Sequence, residues 1–158
     1  MHPSFTLAEI TAIAACGIYF MIGLLTGVWK YFSIMKSEQH HAPIYVDIAH
    51  RAALMYSFAC LVILEFVKLS TLPDSVEFFA AAFPIFFFGT AIFTYILLGI
   101  TQHTDNQFKE RNIITTWGMY LLIFGEIGGF AVLLWGHLKV FWHNHYIKTV
   151  FLAFYFSA

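Results

Sequence analysis

Four stretches of this chain stay apolar over a length that crosses a bilayer: residues 5–31, 44–69, 76–100 and 113–140. A helix needs about 20 residues to span the hydrocarbon layer. Within that layer each backbone N–H and C=O must find its partner inside the segment, so the spans have to be helices. The connections, residues 32–43, 70–75 and 101–112, are short, which suits neighbours that run alternately up and down. The chain therefore reads as an all-α integral membrane protein. A single domain over residues 1–158 forms a four-transmembrane-helix up-and-down bundle with the lipid bilayer as its main partner. Composition agrees: hydrophobic residues make up 60% and charged residues only 11%, where a soluble domain carries about 25% charged residues. A net charge of −1 offers no basic footprint, so no nucleic acid partner is expected. The start of the chain lacks the basic region and small-residue cleavage site of a signal peptide, so the first apolar segment is expected to remain as a span.

Polar residues inside such spans are costly and point to function or to paired packing. The densest group opens the second span: Asp47, His50 and Arg51. Residues three and four apart share a helix face, so Asp47 neighbours both His50 and Arg51. Asp47 is placed to orient the His50 ring as a hydrogen-bond acceptor. Ala49, Ala52 and Ala53 keep the surroundings of the imidazole small, which leaves room for a large flat group. Neutral imidazole is a good ligand for iron, zinc and copper, and Arg51 is placed to neutralise a haem propionate. A histidine that merely hydrogen-bonds within the packing is the alternative. His103 lies in a loop on the same face and His137 near the other face, so neither opposes His50 as a bis-histidine haem requires. One histidine suits a haem with a free coordination position.

Elsewhere the polar residues have plainer readings. Gly23 and Gly27 stand at the GxxxG spacing that brings helices close. Trp29, Lys30 and Tyr31 resemble an interfacial anchor, and Glu9 an interfacial acid. His40 and His41 read as solvated loop residues, with a surface metal site the lesser alternative. Glu65 and Lys68 are placed to pair. Ser75 is the expected N-cap of the third helix, and Pro84 the place for a kink. Tyr95 is expected in the same layer as His50. Glu126, among Gly125, Gly128 and Gly129, is expected to be protonated or paired across a helix interface. Cys16 and Cys60 read as small buried hydrophobes rather than a disulfide. The segment from His143 to Ala158 reads as a helix extension or an interfacial stretch. Lys30, Lys36, Lys109 and Arg111 flank one membrane face against Lys68, Lys139 and Lys148 on the other, too small a difference to fix orientation.

Several of these segments carry a family resemblance. Gly23-Leu24-Leu25-Thr26-Gly27-Val28-Trp29 is similar to the end of the first helix in styrene oxide isomerases and hydroxylaminobenzene mutases. Ala49-His50-Arg51-Ala52-Ala53-Leu54-Met55 resembles their second-helix segment. Residues 89–98, with Tyr95, resemble the third-helix segment that carries their pocket tyrosine, and Asn106-Gln107-Phe108 the loop that follows. The resemblance implies a homotrimer in a bacterial cytoplasmic membrane, with haem b near the subunit interfaces and His50 as its axial ligand. It implies isomerase chemistry: ferric haem acts as a Lewis acid on a small apolar epoxide and yields a carbonyl compound without net redox change. Tyr95 would help to orient the substrate oxygen. Two positions depart from the family: Tyr56 and Ala91 stand where the isomerases have asparagines, and the Tyr56 hydroxyl is the natural replacement for one of those contacts. A non-catalytic b-type haem protein for gas sensing or electron transfer is the second reading, and a structural or assembly membrane protein the third.

Overall fold

A computed structural model describes residues 5–109 and 113–143. They form four long helices: α1 (Leu7–Lys36), α2 (Ile44–Lys68), α3 (Asp74–Thr101) and α4 (Ile113–His143). Each is long and apolar enough to cross a membrane. The described residues contain no strand, and the protein is an all-helical membrane bundle as its apolar runs predict. The expectations for Met1–Ser4, for Arg111 and for residues 144–158 fall outside the described residues.

Helix ends follow local chemistry. Thr6 caps α1: its hydroxyl accepts from the Glu9 backbone N–H at 3.2 Å, and the Glu9 carboxylate accepts from the Thr6 N–H at 2.8 Å. Glu9 is thus half of a capping box rather than a simple interfacial acid. Pro43 and Pro73, both near φ −55°, stand at the N-caps of α2 and α3. Ser75, the expected cap, instead lies inside the first turn of α3, because Pro73 has already set the helical φ two residues earlier. α3 closes on Gln102 in the left-handed region (φ 46°), a place glycine usually takes. Lys68 donates to Glu65 at 2.7 Å, as their spacing predicts.

The four helices do not pack as a square. α1 lies against α2 and α3, α4 lies against α3 and α2, and no contact joins α1 to α4 among the described residues. The core draws on all four helices, and small residues take a large share of it. Ala12, Ala49, Ala53, Cys60 and Ala81 are fully buried. Ala49 and Ala53 therefore do not clear room for a flat group, as expected from sequence; their size lets neighbouring helices close on α2. Cys16 and Cys60 are free thiols, Cys60 within the core and Cys16 packed against it.

Pro84 interrupts no helix; α3 continues through it. Proline cannot donate to the carbonyl four residues back, which is Ala80. That carbonyl faces Gly129 of α4 so closely that a Cβ there would lie 2.8 Å from the oxygen and 2.6 Å from Pro84 Cδ. Tyr19 makes a similar approach elsewhere. Its hydroxyl donates to the Ile85 carbonyl at 2.7 Å and lies where a side chain at Gly89 would be. Trp29 is not an outward anchor: its ring turns into the bundle against Gly99, where a Cβ would meet it at 2.9 Å.

Candidate functional site

His50 lies on α2 against Gly23 and Gly27 of α1. The two glycines of α1 face α2 with different consequences. A Cβ at Gly23 would strike Leu54 Cδ2 at 2.6 Å, and one at Gly27 would meet His50 Cε1 at 2.9 Å. The imidazole thus packs against the bare backbone at Gly27. Its Nδ1 is 2.8 Å from the Gly23 carbonyl oxygen. A carbonyl can only accept, so Nδ1 carries the proton and Nε2 presents its lone pair. No hydrogen-bond partner meets Nε2 among the described residues.

Asp47 does not orient the ring. Its carboxylate pairs with Lys30 of α1 through one oxygen and with Arg51 through the other at 2.9 Å. Two full charges outcompete a neutral imidazole N–H for the same oxygens. Lys30, read from sequence as an anchor, is therefore part of this group. Arg51 is the freest of the three, with 63% of its side chain exposed. Leu24 and Val28 of α1 and Met55 and Phe58 of α2 are exposed apolar neighbours on adjoining turns.

Tyr56 and Tyr95 are brought together, but away from His50. Both line a cavity of about 790 Å³ between α2, α3, α4 and the loop after α3. His50 does not line it, so the shared His50–Tyr95 layer expected from sequence does not form within one chain. The physical reason is the helical phase of α2: His50 turns toward α1, while Tyr56, six residues on, turns toward α3 and α4. Tyr56 stacks on Phe88 with ring centres 4.3 Å apart. Tyr95 stacks on Tyr45 at 6.3 Å, five residues or about 7.5 Å along the helix from His50. Neither tyrosine hydroxyl has a hydrogen bond among the described residues. Ala91 contributes to the wall, and His103, Asn106, Gln107 and Lys109 stand at the mouth.

Tyr45, which the sequence reading passed over, holds that mouth in place. It is 5% exposed, and its hydroxyl accepts the Gln107 backbone N–H at 2.6 Å. No periodic signal marks it, because its role is to join a helix start to a loop 62 residues away. His40 and His41 are exposed beside a second, more polar cavity at the same face, and His41 Nε2 lies 2.8 Å from the Gln39 side-chain oxygen. Among the described residues no three His, Cys, Asp or Glu gather to hold a metal ion. His137 packs edge-on to Phe66 near the other end of the bundle, far from His50 along the chain's span.

Four apolar helices around an alanine-rich core, with one oriented histidine on an outer seam, define an integral membrane protein of the four-helix class. Comparison with protein-family models, with curated proteins and with solved structures finds no match to this chain.

Proposed function

We propose that this chain is a haem b membrane isomerase that rearranges a small apolar epoxide, or a related strained or N–O substrate, to a carbonyl compound. The observation that carries the reading is the contact between His50 Nδ1 and the Gly23 carbonyl. A backbone carbonyl fixes the proton on Nδ1 and leaves Nε2 as a free lone pair, the arrangement in which histidine ligates metals. Among the described residues no group of three ligand side chains is offered to a bare ion. A haem brings four nitrogens of its own and needs only one axial residue, so the donor set fits it. When bound, ferric haem would supply a Lewis-acidic iron with one free position for a substrate oxygen.

The chain's own residues have definable tasks. His50 would hold the group, with Gly27 giving it a seat and Gly23 its orientation. Arg51, exposed beside the ring, suits a propionate. Asp47 keeps Arg51 and Lys30 in place rather than touching the ring. Tyr95 and Tyr56 offer two unengaged hydroxyls to orient an oxygen, within walls that are mostly apolar away from the mouth. His50 and the tyrosine cavity belong to different sides of α2, so the complete site requires the cavity of a neighbouring copy. A homotrimer in a bacterial cytoplasmic membrane, as the resemblance implies, supplies one. That same separation is what favours the second reading, a b-type haem protein that senses a gas or carries electrons.

The absorption spectrum of the detergent-purified protein, as isolated and reduced, tests the proposal. A Soret band is expected in the wild type and lost in His50→Ala, with helical content unchanged. An unchanged band in the variant, or none in haem-reconstituted wild type, removes ligation. Haem-loaded protein that rearranges no aryl or alkyl epoxide leaves the non-catalytic reading.

A further inference from the structure

The cavity that holds Tyr56 and Tyr95 is roomier than a reacting epoxide group needs, and its shape and polarity indicate what else the substrate carries. Its volume, about 790 Å³, is that of a drug-sized ligand. Along α3 it is lined from Leu98 down to Phe87, a run of about 16 Å on the helix axis. At the inner end the Phe87 ring lies against bare α4 backbone at Gly125. The cavity is thus drawn out along the helices, the direction in which lipid chains also run.

Polarity changes along that run. The inner wall is apolar, with Phe87, Ala91, Met119, Leu121 and Leu122. Thr90 and Thr94 spend their hydroxyl protons on their own helix, each donating at 2.8 Å, to the Phe87 and Thr90 carbonyls. The hydroxyls left to a ligand are those of Tyr56 and Tyr95. The mouth, at the loop after α3, carries Lys109 beside the side-chain amides of Asn106 and Gln107. Among the described residues no Asp or Glu lines the cavity, and no ion pair includes Lys109. The bond from Gln107 N–H to the Tyr45 hydroxyl keeps this mouth on α2. An unpaired cation above an apolar shaft complements an anion at the end of a hydrocarbon chain. It also stands at a helix end, the depth at which charged lipid heads lie.

We propose that the substrate of this cavity is a single-chain amphiphile: a carboxylate at Lys109, a hydrocarbon chain between α3 and α4, and the epoxide or related oxygen group along the chain, within reach of Tyr95 and Tyr56. This rests on the assignment of the cavity to the substrate under the proposed function. Binding of the chain itself needs no haem, because the cavity lies across α2 from His50.

Equilibrium dialysis of the full-length protein in nanodiscs, with empty nanodiscs subtracted, tests it with radiolabelled dodecanoic acid, methyl dodecanoate and hexanoic acid. Mildly alkaline buffer keeps the acids ionised and Lys109 charged. The wild type is expected to bind dodecanoate at least about tenfold more tightly than either the ester or hexanoate. Lys109→Gln should lose that preference for acid over ester and keep its affinity for the ester. Ala91→Phe, which fills the shaft, should weaken dodecanoate and leave hexanoate unchanged. If Ala91→Phe does not fold, the wild-type preferences and Lys109→Gln decide. Equal binding of acid and ester, equal binding of long and short acids, no binding, or a preference unchanged in Lys109→Gln overturns the proposal. Dodecanoate binding retained in His50→Ala, where the Soret band is lost, is the expected result and keeps this test apart from that of the haem; binding lost with the haem overturns the separate chain site.

Discussion

At residue 27 the missing side chain decides where an imidazole can lie. A methyl group there would overlap His50 Cε1, and the ring cannot slide away without losing its bond to the Gly23 carbonyl. Gly27→Ala is therefore expected to destabilise the protein by about 1–3 kcal/mol through overpacking, measured as a lower thermal midpoint by circular dichroism. Haem content per chain should fall with it. Gly17, whose Cβ position meets nothing within 4 Å, is the control: Gly17→Ala should be neutral or stabilise by up to about 1 kcal/mol, since alanine is the better helix former. The Lys30–Asp47–Arg51 group differs in kind. Its side chains are about one-third exposed or more, so Lys30→Ala should cost under about 1 kcal/mol. Tyr95→Phe keeps the stack on Tyr45 and removes only the hydroxyl. It should slow turnover more than it weakens haem retention, and unchanged turnover would take Tyr95 out of the substrate pocket.

Between elements, contact is made wherever a side chain is absent or a carbonyl is unclaimed. Pro84 leaves the Ala80 oxygen without its helical donor, and Gly129 lets α4 approach that spot. Gly129→Ala should therefore separate α3 from α4 and lower stability by about 1–3 kcal/mol. Gly128→Ala, one residue away with nothing within 4 Å, should not; comparing the two midpoints isolates the effect from helix propensity. Equal losses would assign the cost to the glycine-rich run as a whole. Among the described residues the loop after α3 is tied to the helices by the bond from Gln107 N–H to the Tyr45 hydroxyl. Tyr45→Phe should make residues 102–109 more sensitive to limited proteolysis, with a loss of about 1 kcal/mol or less in global stability. An unaltered cleavage rate would mean the loop is held otherwise.

For the whole molecule, the outer surface decides the environment. Large apolar side chains such as Phe86, Phe93, Phe124 and Ile127 are more than 60% exposed, which suits lipid or another subunit. If the seam at His50 is shared between copies, native mass spectrometry from a mild detergent should release three chains together; a strictly monomeric protein removes the composite site while leaving haem ligation testable. The spans were legible in the residues because hydrocarbon imposes one rule on every position: each stretch must be apolar, helical and about as long as the layer is thick. The helices begin within about two residues of the apolar stretches while α1 runs on past Tyr31 to Lys36, and His50 stands out because ionisable groups are rare in such stretches. Sequence spacing also paired Glu65 with Lys68 and Asp47 with Arg51, since those neighbours share one helix. It could not pair Lys30 with Asp47, point Nδ1 at the Gly23 carbonyl or join Tyr45 to Gln107. Each depends on how one helix is rotated against another, and that rotation is set by where alanines and glycines let backbones touch. The same rotation parted His50 from Tyr95: periodicity along one helix gives depth in the membrane, while the side of the bundle a residue faces is fixed only when all four helices have packed.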